Sequence, residues 1–242
     1  MFDKKLLLGI LFALTAIACS SLTNITRPDE DAPESPPTFP SSPTEAAAPT
    51  QDESSDAGTI LFEDDFSDTG SGWDRFEDSE GSTDYHDDGY RILIGVESTY
   101  YWANPGRDFD DVRVEVDATL IGGELDNQLG IICRHQDIDN FYAVVISSDG
   151  YYAFRKRHLG ADLEILGDGS FTQTDLITQG PDVTNHIRVD CIGDTISLYV
   201  NGQFVDDIQD SDIASGDVGL LAGTFDVSAT SILFDDFVVY QP

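Results

Sequence analysis

The sequence predicts an all-β fold, a two-sheet antiparallel sandwich of the jelly-roll type, over residues 59–242. Three observations lead to this prediction. Apolar and polar residues alternate with a period of two, as in 112–118, where valines share one strand face and charged residues share the other. Turn residues separate such runs, and Asn201-Gly202 between two apolar runs is typical of a hairpin, because a type I′ turn needs positive φ at both central residues. No convincing helical pattern occurs, which favours a sandwich over a parallel sheet with crossover helices.

Thirteen segments carry this strand pattern. In chain order, they are 60–64, 90–96, 100–103, 112–121, 128–134, 141–148, 151–157, 163–166, 186–192, 195–200, 203–208, 218–222 and 232–239. Strands of this length, joined by short turns, are enough for two packed sheets.

Residues 1–19 have the pattern of an export signal. Two lysines precede an apolar run over 6–18, which at about 1.5 Å per residue reaches only roughly 20 Å and is too short for a bilayer core of ~30 Å. The run ends in Ala-Ile-Ala-Cys at 16–19, which is similar to the lipobox of bacterial lipoproteins, although Leu is usual where Ala16 stands. We expect Cys19 to be acylated; the alternative is an ordinary secretory peptide that is cleaved near Ala18.

Residues 20–58 form a separate, Pro/Ser/Thr-rich acidic segment. It holds seven of the ten prolines and no periodic apolar pattern, so it cannot bury enough surface to offset the entropy of ordering. The sequence therefore predicts a disordered tether between the lipid and the domain. We expect an extracytoplasmic, surface-exposed protein that is held to a bacterial membrane through its N-terminal lipid only.

The charge excludes one class of partner. The 46 acidic residues face only 12 Lys and Arg, a formal net charge of -34. Because a phosphate backbone must be met by cations, nucleic-acid binding is not expected. Self-repulsion at this charge also favours a soluble, solvated surface, and we expect a monomer.

Two cysteines remain in the predicted domain, Cys133 and Cys191, each inside a predicted strand. An exported protein can oxidise them, and a bridge would close a loop of 58 residues. The sequence leaves two alternatives open, a disulfide or two separate buried thiols, because it cannot place the two Cβ atoms.

Seven short motifs follow one another along the predicted domain. They are Leu-Phe-Glu-Asp-Asp-Phe-Ser at 61–67, Ser-Gly-Trp at 71–73, Asp-Asn-Phe-Tyr at 139–142, Ile-Ser-Ser-Asp-Gly-Tyr-Tyr at 146–152, Leu-Tyr-Val-Asn-Gly at 198–202, Gly-Asp-Val-Gly-Leu at 216–220 and Phe-Asp-Asp-Phe-Val-Val at 234–239. Together they resemble the concanavalin A-like lectin/glucanase superfamily, and within it the laminin-G-like and 3-keto-disaccharide hydrolase-like domains of bacterial surface proteins. The resemblance spans nearly all of 59–242 and implies a jelly roll of two antiparallel sheets.

The near-identical segments Phe-Glu-Asp-Asp-Phe and Phe-Asp-Asp-Phe open and close the domain. We expect the first and last strands to pair, with Phe directed inward, because pairing removes an open sheet edge. This would bring Asp64, Asp65, Asp235 and Asp236 close together. Clustered carboxylates suit a structural calcium ion, and the alternative is that these side chains alternate into solvent.

The sequence assigns no catalytic residue. Family 16 glycoside hydrolases, which share the implied fold, carry Glu-x-Asp-x-x-Glu on one strand, and here Glu115 and Asp117 begin the pattern while Leu120 stands in the place of the second Glu. The four His show no metal-ligand spacing, and no Gly-x-Ser-x-Gly segment accompanies them. The sequence therefore gives no complete carboxylate pair for glycoside hydrolysis.

Aromatic side chains next to polar ones on the central strands suggest a sugar-binding face. The predicted ligand-binding residues are Tyr101, Trp102, Arg134, Tyr142, Tyr152 and Arg155. Since side chains on a strand alternate between faces, about half of these rings must instead face the core. We interpret the chain as a non-catalytic binder of carbohydrate or another cell-surface polymer. Two alternatives stay open: a glycoside hydrolase of the 3-keto-disaccharide hydrolase-like type, and a protein-binding adhesion or scaffold module.

Overall fold

A computed structural model of the chain describes residues 58–242. The predicted signal peptide, the acylation site Cys19 and the tether up to residue 57 lie outside the described residues. Within 58–242 the chain forms strands only, and none of it makes a helix with the length and apolarity of a membrane span. The prediction of an all-β domain is confirmed.

Seventeen strands follow one another along residues 58–242. They are β1 (Ile60–Asp64), β2 (Phe76–Glu77), β3 (Gly81–His86), β4 (Gly89–Ile94), β5 (Tyr100–Ala103), β6 (Asp108–Phe109), β7 (Val112–Gly123), β8 (Asn127–Asp137), β9 (Asn140–Ile146), β10 (Tyr151–Arg157), β11 (Glu164–Ile165), β12 (Thr172–Gln173), β13 (Thr184–Ile192), β14 (Thr195–Val200), β15 (Gln203–Gln209), β16 (Gly216–Thr224) and β17 (Thr230–Tyr240). Each of the thirteen predicted segments overlaps one of these strands. The four strands that were not predicted are β2, β3, β6 and β12.

The strands form two antiparallel sheets. The first sheet has the order β15-β14-β13-β7-β17-β4-β3-β2, with β1 also paired to β17. The second sheet has the order β11-β10-β9-β8-β16-β5, with β12 paired to β10 and β6 paired to β16. Many neighbours in each sheet are distant in sequence, as expected for a jelly roll rather than a simple meander.

The first and last strands pair, as predicted. In the register of β1 and β17, Phe62 lies opposite Val239 and Asp64 lies opposite Phe237. Phe62 and Phe237 are both buried, with ring centroids 6.1 Å apart. Strand β17 also pairs with β4 and β7, so the closing segment lies in the middle of the first sheet.

Local sequence explains the regular parts of the sandwich. Along β7, residues alternate between buried and partly exposed, because Val112, Val114 and Val116 enter the space between the sheets. The hairpin between β14 and β15 turns at Asn201 and Gly202, which have φ of 52° and 77°. Both values are positive, as the type I′ turn requires.

A disulfide joins the two sheets across the core. Cys133 on β8 and Cys191 on β13 are bonded and fully buried. The sequence left open a disulfide or two separate buried thiols, and the structure contains the disulfide. It links the middle of the second sheet to the middle of the first.

Candidate functional site

The second sheet is apolar on both of its faces, and this locates the candidate site. Strand β9 is buried from Phe141 to Ile146, with no alternation of buried and exposed residues. Its inner side chains join the main core, while Phe141, Ala143 and Val145 join a second apolar cluster on the outer face. An outer face of this composition needs a cover, since apolar area left in water is unfavourable.

The segment between β10 and β13 supplies part of this cover. Leu163 is buried in the outer cluster, and Phe171 packs against it. Its backbone is tied to the sheet: Arg155 Nη2 donates to the Leu163 carbonyl oxygen at 2.8 Å, and Leu166 N donates to the Phe154 carbonyl oxygen at 2.8 Å. The segment covers only part of the outer face, and two pockets lie beside it.

Aromatic rings line the uncovered part of the outer face. Trp102 lies at the centre of this group, with ring centroids 5.9 Å from Tyr100, 5.9 Å from Phe141 and 6.5 Å from His135. Burial lowers the pKa of His135, so its imidazole is neutral at neutral pH. This part of the outer face therefore consists of aromatic rings in tilted contact around Trp102.

The first pocket is a cavity of about 320 Å³ at one end of this face. Its principal lining residues are Tyr100, Gln128, Arg155, Asp162, Leu163 and Phe225. Arg155 Nη1 donates to Gln128 Oε1, and Arg155 Nε is buried without a hydrogen-bond partner among residues 58–242. Burial lowers the pKa of Arg155, but an arginine stays protonated in proteins. The pocket thus combines a ring, an amide and a guanidinium.

Glycine 223 helps to shape this pocket. A Cβ added there would lie 2.4 Å from Gln128 Nε2, closer than side-chain atoms approach. The absence of a side chain on this residue of β16 lets Gln128, which is 3% exposed, lie across the strand. The hydrogen-bonding floor of the first pocket is therefore fixed by packing.

The second pocket adjoins the first. It is a cavity of about 340 Å³ lined by Asp126, Ser147, Asp149, Tyr151, Phe171 and Phe225. Phe225 lines both pockets, and its ring makes an edge contact with Phe171 at a centroid distance of 5.4 Å. Partial burial, together with the neighbouring Asp149 and Asp226, raises the pKa of Asp126. The second pocket is thus aromatic on its walls and acidic at its rim.

The structure brings only part of the predicted ligand set to this face. Trp102 and Arg155 belong to it. Tyr101 lies on β5, the edge strand of the second sheet, and its hydroxyl donates to Asp78 Oδ1 at 3.0 Å. Arg134, Tyr142 and Tyr152 are buried, with 2%, 1% and 7% of their surface exposed, and are not on the open face. The prediction that these three residues lie on a ligand-binding face was wrong, because they are buried.

These three buried residues hold β15, the segment after it and the turn before β14. Tyr142 donates to Asp210 Oδ1, and Tyr152 donates to Asp206 Oδ2 at 2.8 Å. Burial, together with these carboxylates, raises the pKa of each tyrosine to about 12. Arg134 donates to the carbonyl oxygens of Ile213 at 3.0 Å and Gly193 at 2.6 Å. Both tyrosine hydroxyls and both terminal nitrogens of Arg134 are bonded within the protein, so their role is structural.

Sequence reasoning missed Gln128, Asp162, Phe171 and Phe225 in the two pockets. Tyr100 and Tyr151 were neighbours of predicted residues, but they occupy the opposite strand face from Tyr101 and Tyr152. Phe171 follows a turn-rich polar stretch and Phe225 precedes one, and both lie outside the predicted strands. A lone aromatic ring in such a stretch is a usable signal for a site formed by loops.

The predicted calcium ligands do not form a cation site. Both carboxylate oxygens of Asp64 are engaged, Oδ1 by Phe66 N at 2.8 Å and Oδ2 by Trp73 Nε1 at 2.9 Å. Asp65 Oδ1 accepts from the backbone N–H and the hydroxyl of Ser67. Within 58–242, no three His, Cys, Asp or Glu side chains are grouped so that they could hold a metal ion. The residues present therefore do not fit the ion.

Glu115 and Asp117 lie on the outer face of the first sheet, away from both pockets. His186 Nδ1 is 2.7 Å from Asp117 Oδ1, and His186 Nε2 is 3.5 Å from Glu115 Oε2. Leu120 is buried in the core. These carboxylates pair with a histidine and do not flank a cleft.

The sequence matches no family model and no curated protein. Solved structures do match. The carbohydrate-binding module CBM66 from Bacillus subtilis aligns with a TM-score of 0.57 and 18% identity over 70% of this chain and 96% of that chain. A protein with a galectin-like fold from Bacillus subtilis aligns with a TM-score of 0.56 and 12% identity over 76% and 97%. The catalytic domain of a Thermotoga petrophila endo-1,3-beta-glucanase (laminarinase) aligns with a TM-score of 0.52 and 11% identity over 76% and 98%.

These likenesses establish the fold. The described domain has the two-sheet β-sandwich fold of these structures, and the predicted jelly-roll fold is confirmed. At these identities, the likeness does not extend to activity.

Proposed function

We propose that the domain is a non-catalytic carbohydrate-binding domain whose ligand occupies the two adjoining pockets of the second sheet. The observation that carries the proposal is the lining of these pockets: four aromatic rings, with an arginine, an amide and carboxylates between them. The rings are Tyr100, Tyr151, Phe171 and Phe225.

This combination suits a sugar. A pyranose presents an apolar face of C–H groups that packs on a ring, and hydroxyls at its edge that need donors and acceptors. Arg155 supplies hydrogen-bond donors and Asp162 supplies acceptors. The amide of Gln128 supplies a donor and an acceptor. Each cavity is at the lower end of the size range of small-ligand pockets, about 300–1,000 Å³, and is suited to about one sugar residue.

The structures with a similar fold support the same class of ligand, since they include a carbohydrate-binding module and a laminarinase. The charge at the rim narrows the class further. Asp126, Asp149, Asp162 and Asp226 surround the pockets, while Arg155 is the one cation among their lining residues. We infer a neutral polysaccharide, because a uronate or sulfate group would meet net repulsion.

The location belongs to the proposal as well. We infer that the chain is exported, acylated on Cys19 and displayed as a monomer on its tether outside the membrane. Labelling of cells with an alkyne fatty acid tests the lipid, and Cys19→Ser is expected to abolish the label and release the protein.

A glycan array probed with purified full-length protein in mild detergent tests the binding function. We expect retention on neutral polysaccharides, with binding by Phe225→Ala about tenfold weaker, since this ring lines both pockets. Phe204→Ala is the matched control, because Phe204 is an exposed ring on β15 of the first sheet. Absence of any retained glycan contradicts the proposal and favours a protein-binding module.

Glycoside hydrolysis is a second candidate, and Asp126 is the observation that favours it. Its raised pKa beside a second carboxylate is a property of general acids in glycosidases. Turnover of a retained glycan that is abolished in Asp126→Asn would establish this alternative. Binding without turnover would leave the non-catalytic function.

A further inference from the structure

A third cavity lies at the outer edge of β5. This edge pocket has a volume of about 440 Å³ and is lined by Phe76, Tyr100, Tyr101, Trp102, Asp74 and Arg75, among others. Phe76 belongs to β2, the last strand of the first sheet, so the pocket lies where the open edges of the two sheets meet.

Two rings in contact with each other line this pocket. Phe76 is 50% exposed and makes an edge contact with Tyr101 at a centroid distance of 5.6 Å. Tyr101 is fixed by its hydrogen bond to Asp78 and by close packing on β3, because a Cβ at Gly81 would lie 2.6 Å from Tyr101 Cε2. A large ring that is half exposed beside a fixed partner is a platform on which a sugar face can pack.

The edge pocket is a neighbour of the proposed binding site. Tyr100 lines both the edge pocket and the first pocket, and Phe225 lines both the first and the second. Tyr100 is held in place by Arg157 Nη1, which donates to its hydroxyl at 3.1 Å. Neighbouring cavities therefore share one aromatic ring, Tyr100 or Phe225.

The polar groups of the edge pocket also indicate a neutral occupant. Arg75 binds Asp84 through Nε at 2.7 Å and through Nη2 at 3.0 Å, so its charge is already neutralised. Asp74 adds a negative charge to the same lining. The pocket offers no uncommitted cation for an acidic sugar.

We propose that the edge pocket is an additional subsite for a further residue of the same neutral polysaccharide chain, which crosses the edge of β5 to reach it. The inference rests on the proposed function. It implies that the protein recognises an extended internal segment of a polysaccharide rather than a single terminal residue, and that affinity rises with chain length.

Calorimetry with full-length protein tests this, using fragments of two and six residues cut from a neutral polysaccharide that the array retains. We expect the longer fragment to bind about tenfold more tightly than the shorter one. Phe76→Ala is expected to weaken binding of the longer fragment about two- to tenfold, the effect of one aromatic contact, and to leave the shorter fragment unchanged. Phe76→Tyr, which keeps the ring, should bind as wild type does.

Phe204→Ala is again the matched control. Phe204 is 51% exposed and contacts Tyr199 edge-on at 5.4 Å, so it has nearly the same setting as Phe76, at the opposite edge of the first sheet. Equal affinity for the two fragments, an unchanged Phe76→Ala variant, or an equal loss for both fragments overturns the subsite while the binding function stands. If a retained polysaccharide yields two fragments that both fail to bind, the subsite is overturned, whereas absence of any retained glycan on the array overturns the binding function itself.

Discussion

The outer faces of the two sheets satisfy their polar groups in different ways. On the first sheet, charges pair with one another: His186 lies between Glu115 and Asp117, and Arg188 binds Asp190 through two nitrogens, at 2.8 and 2.6 Å. On the second sheet, aromatic rings surround Arg155, whose Nε has no partner in the part of the chain described.

This difference separates a stabilised surface from a binding surface. A set of paired charges offers few unmet hydrogen bonds, so a ligand would have to replace existing contacts. Partly exposed rings gain contacts when a ligand arrives. Charge density alone therefore misidentifies the functional face of this acidic protein.

The largest predicted effect concerns the covalent link between the sheets that carry these two faces. Replacing both members of the Cys133–Cys191 disulfide by Ala is expected to lower the free energy of unfolding by about 2–4 kcal/mol, because a loop of 58 residues is no longer closed in the unfolded chain. Urea unfolding with and without reductant measures this. Reductant should destabilise wild type and leave the double variant unchanged; equal midpoints for wild type and variant would refute the contribution.

The second prediction tests the charge of the binding face. Carboxymethylation of a retained neutral polysaccharide is expected to weaken binding about fivefold at low salt, because one close like-charge contact in water is worth about 1 kcal/mol. Asp126→Asn with Asp149→Asn should restore part of the loss, and salt should reduce it. Glu115→Gln removes a charge from the other face and serves as the control. Equal recovery with Glu115→Gln would mean that net charge alone, not the pocket, selects the ligand.

The strands could be predicted from the sequence wherever one face of the strand is buried and the other is exposed to solvent. Strand β7 is such a case, and so is the pairing of β1 with β17, whose near-identical segments were expected to meet. Strand β3 was missed because Gly81–His86 reads Gly-Ser-Thr-Asp-Tyr-His and lacks an apolar alternation. It lies near the sheet edge, where little core contact is required.

The site was only partly predictable, since the second sheet is buried on both faces. Alternation along β9 and β10 then gives no sign of which side chains face the core, and Tyr152 was chosen where Tyr151 is the outward ring. Arg134 was misplaced for another reason. It has a φ of 56° at a register shift in β8, and this bulge turns its side chain into the interior.

The smallest predicted effect concerns the paired charges of the first sheet. Glu115 and Asp117 raise the pKa of His186 to about 9, so this histidine is protonated at neutral pH. Because the pKa is higher in the folded than in the unfolded state, the stabilisation is fully present below about pH 6.5 and is lost as the pH rises through about 9. The effect on stability is expected to be small, since the side chain of His186 is 42% exposed and solvent screens the pair.

An NMR titration of the His186 ring protons measures this pKa directly. Asp117→Asn and Glu115→Gln should each move the midpoint down towards the ordinary value of about 6.5. His135, which lies on the second sheet and whose pKa is lowered by burial, provides an internal reference that neither substitution should move. A wild-type midpoint near 6.5 would show that the carboxylates do not hold the proton, and the first sheet would then offer an uncommitted histidine and two free acids. That result would remove the contrast between the two faces and reopen the outer face of the first sheet as a place for a ligand.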